Sequence, residues 1–253
     1  MEQDLVLSRA LVELFGRPAF AERAAFRGGT ALHKLFFEPP GRYSEDIDLV
    51  QREPGPIGPL ADDIREVLDP WLGAPRWKAG PGRFTLSYRF ETTMAPVARV
   101  RLKLEINTRE HFAVRGFATR SLQVDNSWFS GSADVTTYSL PELLGTKLRA
   151  LYQRKKGRDL FDLALALEHP DFNGAHLIET FQEYMRFGDT PVSRAQFEAN
   201  MAAKLVDPLF LADVPTLLRT GLTHDPRKAW DRVHGEIATR LHGEPWKGSP
   251  SFG

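Results

Sequence analysis

The stretch RYSEDIDLV, Arg42 to Val50, decides the fold because it sets two carboxylates into an otherwise apolar strand. On a strand, residues two apart project from the same face. Asp46 and Asp48 therefore share one face with Ser44, while the isoleucine and leucine at the alternate positions face the core. Two such carboxylates repel each other, and Mg²⁺, which takes one or two carboxylates plus phosphate oxygens, would relieve that repulsion. The alternative interpretation is a solvated edge strand, or a turn whose carboxylates cap backbone amides.

A glycine pair precedes this strand, in the segment RGGTAL, Arg27 to Leu32. The segment predicts a strand end, a tight turn and the start of a helix over Thr30 to Phe37, with Thr30 near its N-cap. Glycines let the backbone approach a ligand closely, and helix N-termini present free N–H groups that suit phosphates. Gly28 and Gly29 alone would fit an ordinary turn. Followed by the two aspartates, they predict a phosphate-binding loop beside a metal site.

The segment VRLKLEIN, Val100 to Asn107, alternates apolar and polar residues as a half-buried strand does. Lys103 and Glu105 share its polar face. If this strand lies beside the one that carries the aspartates, it could deliver Glu105 as a third metal-binding carboxylate. The alternative interpretation is a half-exposed strand with alternating charges.

A basic segment follows at Gly145 to Leu167, where two predicted helices flank a turn. Four cations form what we call the cationic turn: Arg154, Lys155, Lys156 and Arg158. Lys147 could neutralise triphosphate charge, and the cationic turn could contact an RNA backbone. Asp159 and Asp162 lie three residues apart and share a helix face. The alternative interpretation is a solvated loop in which Arg158 and Asp162 form a surface ion pair at i, i+4.

Composition restricts the classes of function that are open to the chain. Its 253 residues include 33 basic and 33 acidic ones, so the net charge gives no sign of broad nucleic-acid or membrane binding. The sequence has no cysteine, which excludes disulfides, thiolate metal sites and cysteine nucleophiles and suits a reducing cytosol. No apolar run approaches the roughly 20 residues of a membrane helix, and the acidic, amphipathic N-terminus is not a signal peptide. We therefore expect a cytoplasmic protein with no membrane partner.

The pattern of the chain changes character at Leu140. Strand and helix patterns are mixed before that point, and almost everything after it has helical periodicity. This arrangement predicts an α+β protein with an α/β core over residues 1–139, a helical region over 140–242 and a loosely held tail over 243–253.

Four motifs in fixed order carry a family likeness: GGTAL, RYSEDIDL, KLEIN and ELLGTKLRAL followed by KGRDLFDLALAL. Together they resemble the AbiEii/AbiGii-type nucleotidyltransferases, the toxin halves of type IV toxin–antitoxin systems, to which the MenT toxins are similar. The likeness covers residues 23–50 and 100–167. It implies a polymerase-β-like nucleotidyltransferase fold, a mixed sheet with helices, followed by an all-helical C-terminal region that completes the active site.

The resemblance also implies roles for individual residues. Asp46 and Asp48 would hold Mg²⁺, Lys147 would contact the triphosphate, and Asp162 would act as a base or position Lys147. These four would be the catalytic residues. The nucleotide phosphates would lie against the residues of the glycine motif and the serine before the aspartates: Gly28, Gly29, Thr30 and Ser44. Arg158 and Asp159 would support the site from their helix.

The activity implied by the resemblance is transfer of a nucleotide to the 3′ end of tRNA. The nucleotide would be a pyrimidine from CTP or UTP, with CTP favoured, and the transfer would block aminoacylation and so inhibit translation and growth. A cognate antitoxin encoded nearby would be the partner. Two alternatives stay open: a nucleotidyltransferase acting on a protein or small-molecule hydroxyl, and a catalytically dead nucleotide- or partner-binding module.

Overall fold

The computed structural model describes residues 2–93 and 95–248, and the chain divides into two compact units. The first unit comprises Met1–Phe36 and Tyr43–Ser139, and the second comprises Phe37–Arg42 and Leu140–Gly253. The short segment before the aspartates thus belongs to the otherwise C-terminal unit. The end of the predicted tail, 249–253, lies outside the described residues.

The first unit is built on a seven-stranded mixed sheet with strand order β3-β4-β5-β2-β1-β7-β6. Its strands are β1 (Ala24–Arg27), β2 (Asp46–Gln51), β3 (Arg76–Gly80), β4 (Arg83–Glu91), β5 (Arg99–Asn107), β6 (Phe117–Asp125) and β7 (Ser130–Tyr138). Its helices are α1 (Glu2–Phe15), α2 (Pro18–Arg23), α3 (Gly28–Leu35) and α4 (Gly58–Leu72). The strand β2 runs parallel to β5, and β1 runs parallel to β7, while the other pairs are antiparallel. The predicted α+β class with a mixed sheet is confirmed.

One face of this sheet is the core of the first unit. Ile47 and Leu49 of β2, together with Leu102 and Leu104 of β5, are buried there. Among the alternate residues, Asp46 and Asp48 of β2 and Lys103 and Glu105 of β5 are polar and only partly buried. The period-two pattern therefore sends the two aspartates of β2 to the other, polar face, as the sequence predicts.

The second unit is helical throughout its described residues. Its helices are α5 (Leu140–Gln153), α6 (Gly157–Ala166), α7 (Gly174–Phe187), α8 (Arg194–Lys204), α9 (Pro208–Ala212) and α10 (Pro226–Glu236), with a 3₁₀ turn at Ala238–Arg240. Buried Glu142 of α5 accepts a hydrogen bond of 2.8 Å from the hydroxyl of Tyr184 on α7. Gly145 lets these two helices approach, because a Cβ there would lie 2.7 Å from Thr180. None of the described helices in either unit is long and apolar enough to cross a membrane.

The structure corrects one prediction about elements and adds two strands. The helix α3 begins at Gly28 with Arg27 as its N-cap, so Thr30 lies inside the first turn and does not cap it. The strands β3 and β6 were not predicted, because β3 is exposed throughout and β6 buries only Leu122 and Val124. Within the predicted tail, the backbone N–H of Trp246 donates a hydrogen bond of 2.7 Å to the carboxylate of Glu198.

Candidate functional site

The predicted site residues fall into two groups, one in each unit. The first unit holds the glycine motif, the serine and the three strand carboxylates: Gly28, Gly29, Thr30, Ser44, Asp46, Asp48 and Glu105. The second unit holds the predicted triphosphate contact, the helical aspartates and the cationic turn: Lys147, Asp159, Asp162, Arg154, Lys155, Lys156 and Arg158.

The aspartate pair of β2 lies next to the charged residues of β5. The parallel register aligns Asp46 with Lys103 and Asp48 with Glu105, which confirms that the two predicted strands are neighbours. Burial raises the pKa of Asp46 above its usual value; Lys103 opposes this shift, and the nearby Asp48 and Glu45 carboxylates add to it. A half-buried carboxylate with acidic neighbours is costly to ionise, and a divalent cation would remove that cost. The residues present therefore fit a metal bound by two aspartates.

The raised pKa of Asp46 predicts a gain in stability for the Asp46→Asn variant in metal-free buffer. A carboxyl whose folded pKa exceeds its unfolded pKa destabilises the protein once it ionises, so stability falls as pH rises through the folded pKa. At pH 7 we expect the variant to melt on the order of 2 °C higher than the unchanged protein. The difference should vanish below the unfolded pKa of about 3.9. Thermal melts at pH 7 and pH 3.5 with a chelator measure it, and a lower melting temperature for the variant at pH 7 would contradict the assignment.

Gly28 is the residue that makes room for Asp48. Its φ is 80°, in the left-handed region, and a Cβ built there would overlap the Oδ2 atom of Asp48. Any other residue would both strain the backbone and push the Asp48 carboxylate aside. The glycine at position 28 therefore leaves the space that the Asp48 carboxylate occupies, in addition to the predicted role of the glycine motif in binding phosphates.

The Gly28→Ala variant is expected to fold and to lose about 100-fold in transferase activity. The physical reason is displacement of Asp48, since a shift of about 1 Å in a reacting group costs on the order of 100-fold. Gly58→Ala is the matched control, because nothing lies within 4 Å of a Cβ at Gly58, the first residue of α4. Steady-state rates with circular dichroism as a folding check measure both variants. Equal rates for Gly28→Ala and the unchanged protein would show that Gly28 does not hold Asp48 in place.

Thr30 and Ser44 hold the start of β2. The Thr30 hydroxyl donates to the carbonyl oxygen of Asp46 over 2.7 Å, and the Thr30 side chain is buried. The Ser44 backbone N–H donates to Asp4 Oδ1 over 3.1 Å, and its hydroxyl, also buried, has no partner among the residues that the structure describes. Their contact with nucleotide phosphates stays a prediction.

Asp4 and Lys34 are two residues near the aspartates that the sequence analysis missed. Asp4 is buried and Lys34 is partly buried; they form an ion pair of 2.9 Å, and Lys34 also donates to the Ser8 hydroxyl over 2.9 Å. The sequence contains a pattern that could have identified Asp4. This aspartate lies on the apolar stripe of α1 with Leu7 and Leu11, at positions i, i+3 and i+7. A carboxylate on such a stripe requires a partner once it is buried.

Glu105 is engaged by cations on its own face of the sheet. Lys103 Nζ lies 2.7 Å from its Oε2 atom, and Arg83 Nη1 lies 3.7 Å from Oε1. Within residues 2–93 and 95–248, no group of three His, Cys, Asp or Glu side chains is arranged to hold a metal. A third ligand from Glu105 stays a prediction, as does metal binding by the aspartate pair.

A buried ion network occupies the second unit. Lys147 Nζ lies 3.0 Å from both Asp159 Oδ1 and Asp162 Oδ2, and these three side chains are at most 4% exposed. Arg154 adds two hydrogen bonds of 2.7 and 2.8 Å to Asp159. Burial works to raise the pKa of Asp159, but Lys147 and Arg154 outweigh it and hold that pKa below its usual value. Lys147 is thus fixed by two carboxylates, which fits the predicted role of Asp162 in positioning it.

Arg42 also belongs to this buried ion network, although no sequence pattern predicts a role for it. It donates to both oxygens of Asp162, from Nε and Nη2, over 2.8 Å each. Burial works against the charge of Arg42, but the Asp162 carboxylate more than compensates and raises its pKa. The two residues lie 120 positions apart, so only the fold reveals the contact.

Each cation of the cationic turn is paired with an aspartate of its own unit. Arg154 pairs with Asp159, Lys155 with Asp207 at 2.8 Å, and Lys156 with Asp213 at 3.3 Å. Arg158 also pairs with Asp213, at 3.0 Å. The suggested surface ion pair between Arg158 and Asp162 is wrong, because the Asp162 side chain is fully buried, where Arg42 and Lys147 contact it.

The chain matches a known protein family, and its fold is similar to that of solved structures. The family model of the nucleotidyl transferase AbiEii toxin, type IV toxin–antitoxin system, matches residues 9–234. Comparison with curated proteins by sequence gives no significant match. The fold is similar to that of MenT4, a nucleotidyltransferase toxin from Mycobacterium tuberculosis H37Rv, with a TM-score of 0.71 at 18% identity over 95% of this chain and 84% of that one. It is also similar to JHP933 from Helicobacter pylori, with a TM-score of 0.57 at 20% identity over 94% and 91% of the two chains.

Proposed function

The chain belongs to the AbiEii nucleotidyltransferase toxin family of type IV toxin–antitoxin systems, and from that membership we propose that it transfers a nucleoside monophosphate to the 3′ end of tRNA. The nucleotide would be a pyrimidine, with CTP preferred over UTP. The modified tRNA could not be aminoacylated, so translation and growth would stop. The protein would act in the cytoplasm, and a cognate antitoxin would restrain it.

The observation that carries the proposal is the Asp46–Asp48 pair beside Gly28. Two partly buried carboxylates share one face of β2, and the absence of a Cβ at Gly28 leaves room for Asp48. The raised pKa of Asp46 supports a cation at this position. Mg²⁺ suits such a pair, because it binds one or two carboxylates and completes its shell with phosphate oxygens and water.

In the reaction we propose, the tRNA 3′ hydroxyl attacks the α-phosphorus of the nucleoside triphosphate. A bond forms between the hydroxyl oxygen and the α-phosphorus, the bond from that phosphorus to the bridging oxygen breaks, and pyrophosphate leaves with the electron pair of that bond. The hydroxyl proton passes to water. When bound, the metal would neutralise charge on the phosphate oxygens. Asp46 and Asp48 would hold that metal beside the reacting phosphate, and Lys147, held by Asp159 and Asp162, is assigned to the triphosphate.

The experiment is incubation of the purified protein with total tRNA, Mg²⁺ and each α-labelled nucleoside triphosphate in turn. We expect label at the tRNA 3′ end from CTP, or from CTP and UTP. Periodate-oxidised tRNA, which has lost its 3′ hydroxyl, is the control and should accept no label. Absence of transfer from all four nucleotides, with well-folded protein, would falsify the proposal.

One observation favours a second acceptor, a hydroxyl on a protein or a small molecule. Every cation of the cationic turn has an aspartate partner, so this turn is less suited to an RNA backbone than its sequence indicates. Such an enzyme would use the same aspartate pair. The assay separates the two, since label would enter a protein or a small molecule while tRNA stayed unlabelled.

A further inference from the structure

We propose that the polar face of strands β3, β4 and β5 binds the phosphate backbone of the acceptor RNA. This inference rests on the proposed function, because it assumes that the acceptor is an RNA. It replaces the cationic turn as the main RNA contact and assigns that role to four arginine and lysine residues of the first unit. We call them the sheet cations: Arg76, Lys78, Arg89 and Arg101.

Strand register places the sheet cations on the same face as the aspartate pair. One row across the sheet runs from Asp46 through Lys103 and Ser87 to Arg76. The next row runs from Asp48 through Glu105 and Thr85 to Lys78. Because residues aligned in neighbouring strands project from the same side, these side chains form one continuous surface.

Arg89 and Arg101 lie directly opposite each other in the antiparallel pair of β4 and β5. Like charges in that position destabilise a sheet. The fold nonetheless keeps both guanidinium groups exposed there. A polyanionic ligand that contacts both would turn this repulsion into a favourable interaction.

The charge on this face is strongly positive outside the aspartate pair. Its cations are Arg76, Lys78, Arg83, Arg89, Arg99, Arg101 and Lys103, and its acids are Glu91 and Glu105. Glu105 pairs with Lys103 and Arg83, and Glu91 pairs with Arg99. The ion pairs formed by the described residues include none for the sheet cations, all four of which are exposed. The zero net charge of the whole chain conceals this local excess.

The distances suit a strand of RNA that ends at the aspartate pair. Arg76 lies three strands from Asp46, about 14 Å at ~4.8 Å per strand. Arg101 lies two residues before Lys103 on β5, and Lys103 is aligned with Asp46, so Arg101 projects from the same face within one row of that aspartate. A backbone whose 3′ hydroxyl reacts at Asp46 and Asp48 could therefore continue over the sheet cations, with one phosphate neutralised by each.

The test is RNA binding by a variant in which Arg76, Lys78, Arg89 and Arg101 are all changed to glutamine. We expect its affinity for tRNA, measured by fluorescence anisotropy from 50 to 300 mM salt, to fall at least about tenfold at the low-salt end. The slope of log K against log salt should become shallower by about 3, because each of the four phosphates that the variant no longer neutralises contributes about 0.7 on a single strand. In the labelling assay, KM for tRNA should rise while KM for the nucleotide stays unchanged.

The matched control neutralises four exposed cations of the second unit: Arg186, Arg227, Lys228 and Lys247. Should the control lose as much affinity as the sheet variant, net charge alone would explain the effect and the proposal would be wrong. Unchanged tRNA affinity and slope in the sheet variant would also overturn it. The smaller variant Arg76→Gln/Lys78→Gln, confined to the edge strand, repeats the test with half of the expected slope change if the fourfold variant does not fold.

Failure of this proposal and failure of the proposed function give different results. If the unchanged protein labels tRNA and the sheet variant does so with the same KM, only the sheet assignment fails. If the unchanged protein neither binds nor labels tRNA, the acceptor is not tRNA and both proposals fall.

Discussion

The Asp48→Asn variant is expected to lose nucleotidyl transfer, with a rate about 1,000-fold or more below that of the unchanged protein. Asparagine keeps the size of the side chain and its place against Gly28, but it removes the negative charge that a divalent cation needs. The change lies on a partly exposed strand position, so the fold should persist. Initial rates of label transfer at saturating Mg²⁺ measure the loss.

Asp62→Asn is the matched control for Asp48→Asn. It removes one carboxylate from an exposed position of α4 in the same unit, and its rate should stay within about twofold of the unchanged protein. Titration with Mn²⁺ separates metal binding from a structural defect, since a weakened metal site should require more metal for half-maximal rate. A rate for Asp48→Asn within tenfold of the unchanged protein would mean that the metal is held elsewhere.

The Asp162→Asn variant is expected to lose about 3–5 kcal/mol of unfolding free energy. Asp162 is fully buried and satisfies two cations at once, Arg42 and Lys147, each with a side chain only 4% exposed. Without this carboxylate, Arg42 would lose the aspartate that contributes most to stabilising its buried charge, and Lys147 would lose one of its two aspartate partners. Urea denaturation followed by circular dichroism measures the change.

A double-mutant cycle with Arg42 distinguishes this explanation from a simple packing defect. The Arg42→Met/Asp162→Asn pair removes the buried guanidinium together with its partner, so its loss should be smaller than the sum of the two single losses by about 1–3 kcal/mol. Additive losses would show that the two residues do not stabilise each other. Lys155→Gln, an exposed cation paired with Asp207, is the control and should cost about 1 kcal/mol or less.

Sequence patterns predicted the parts of the fold that depend on local periodicity. The alternation in RYSEDIDLV and VRLKLEIN placed Asp46, Asp48, Lys103 and Glu105 on polar faces, and the structure agrees. The change to helical periodicity at Leu140 marks the start of α5. The strand β3 escaped prediction because Arg76–Gly80 is exposed on both faces and therefore has no alternation of burial to reveal it.

The sequence by itself determined the α+β class, the aspartate pair and the order of the motifs, because each depends on residues within a few positions of one another. Only the tertiary structure decided which charges compensate each other. In the folded protein, Asp162 pairs with Arg42 and Lys147. The cations of the cationic turn pair with Asp159, Asp207 and Asp213. Three strand pairings align Arg76 and Lys78 with the rows that contain Asp46 and Asp48. The physical reason is that an ion pair requires closeness in space, and these partners lie up to 120 positions apart along the chain.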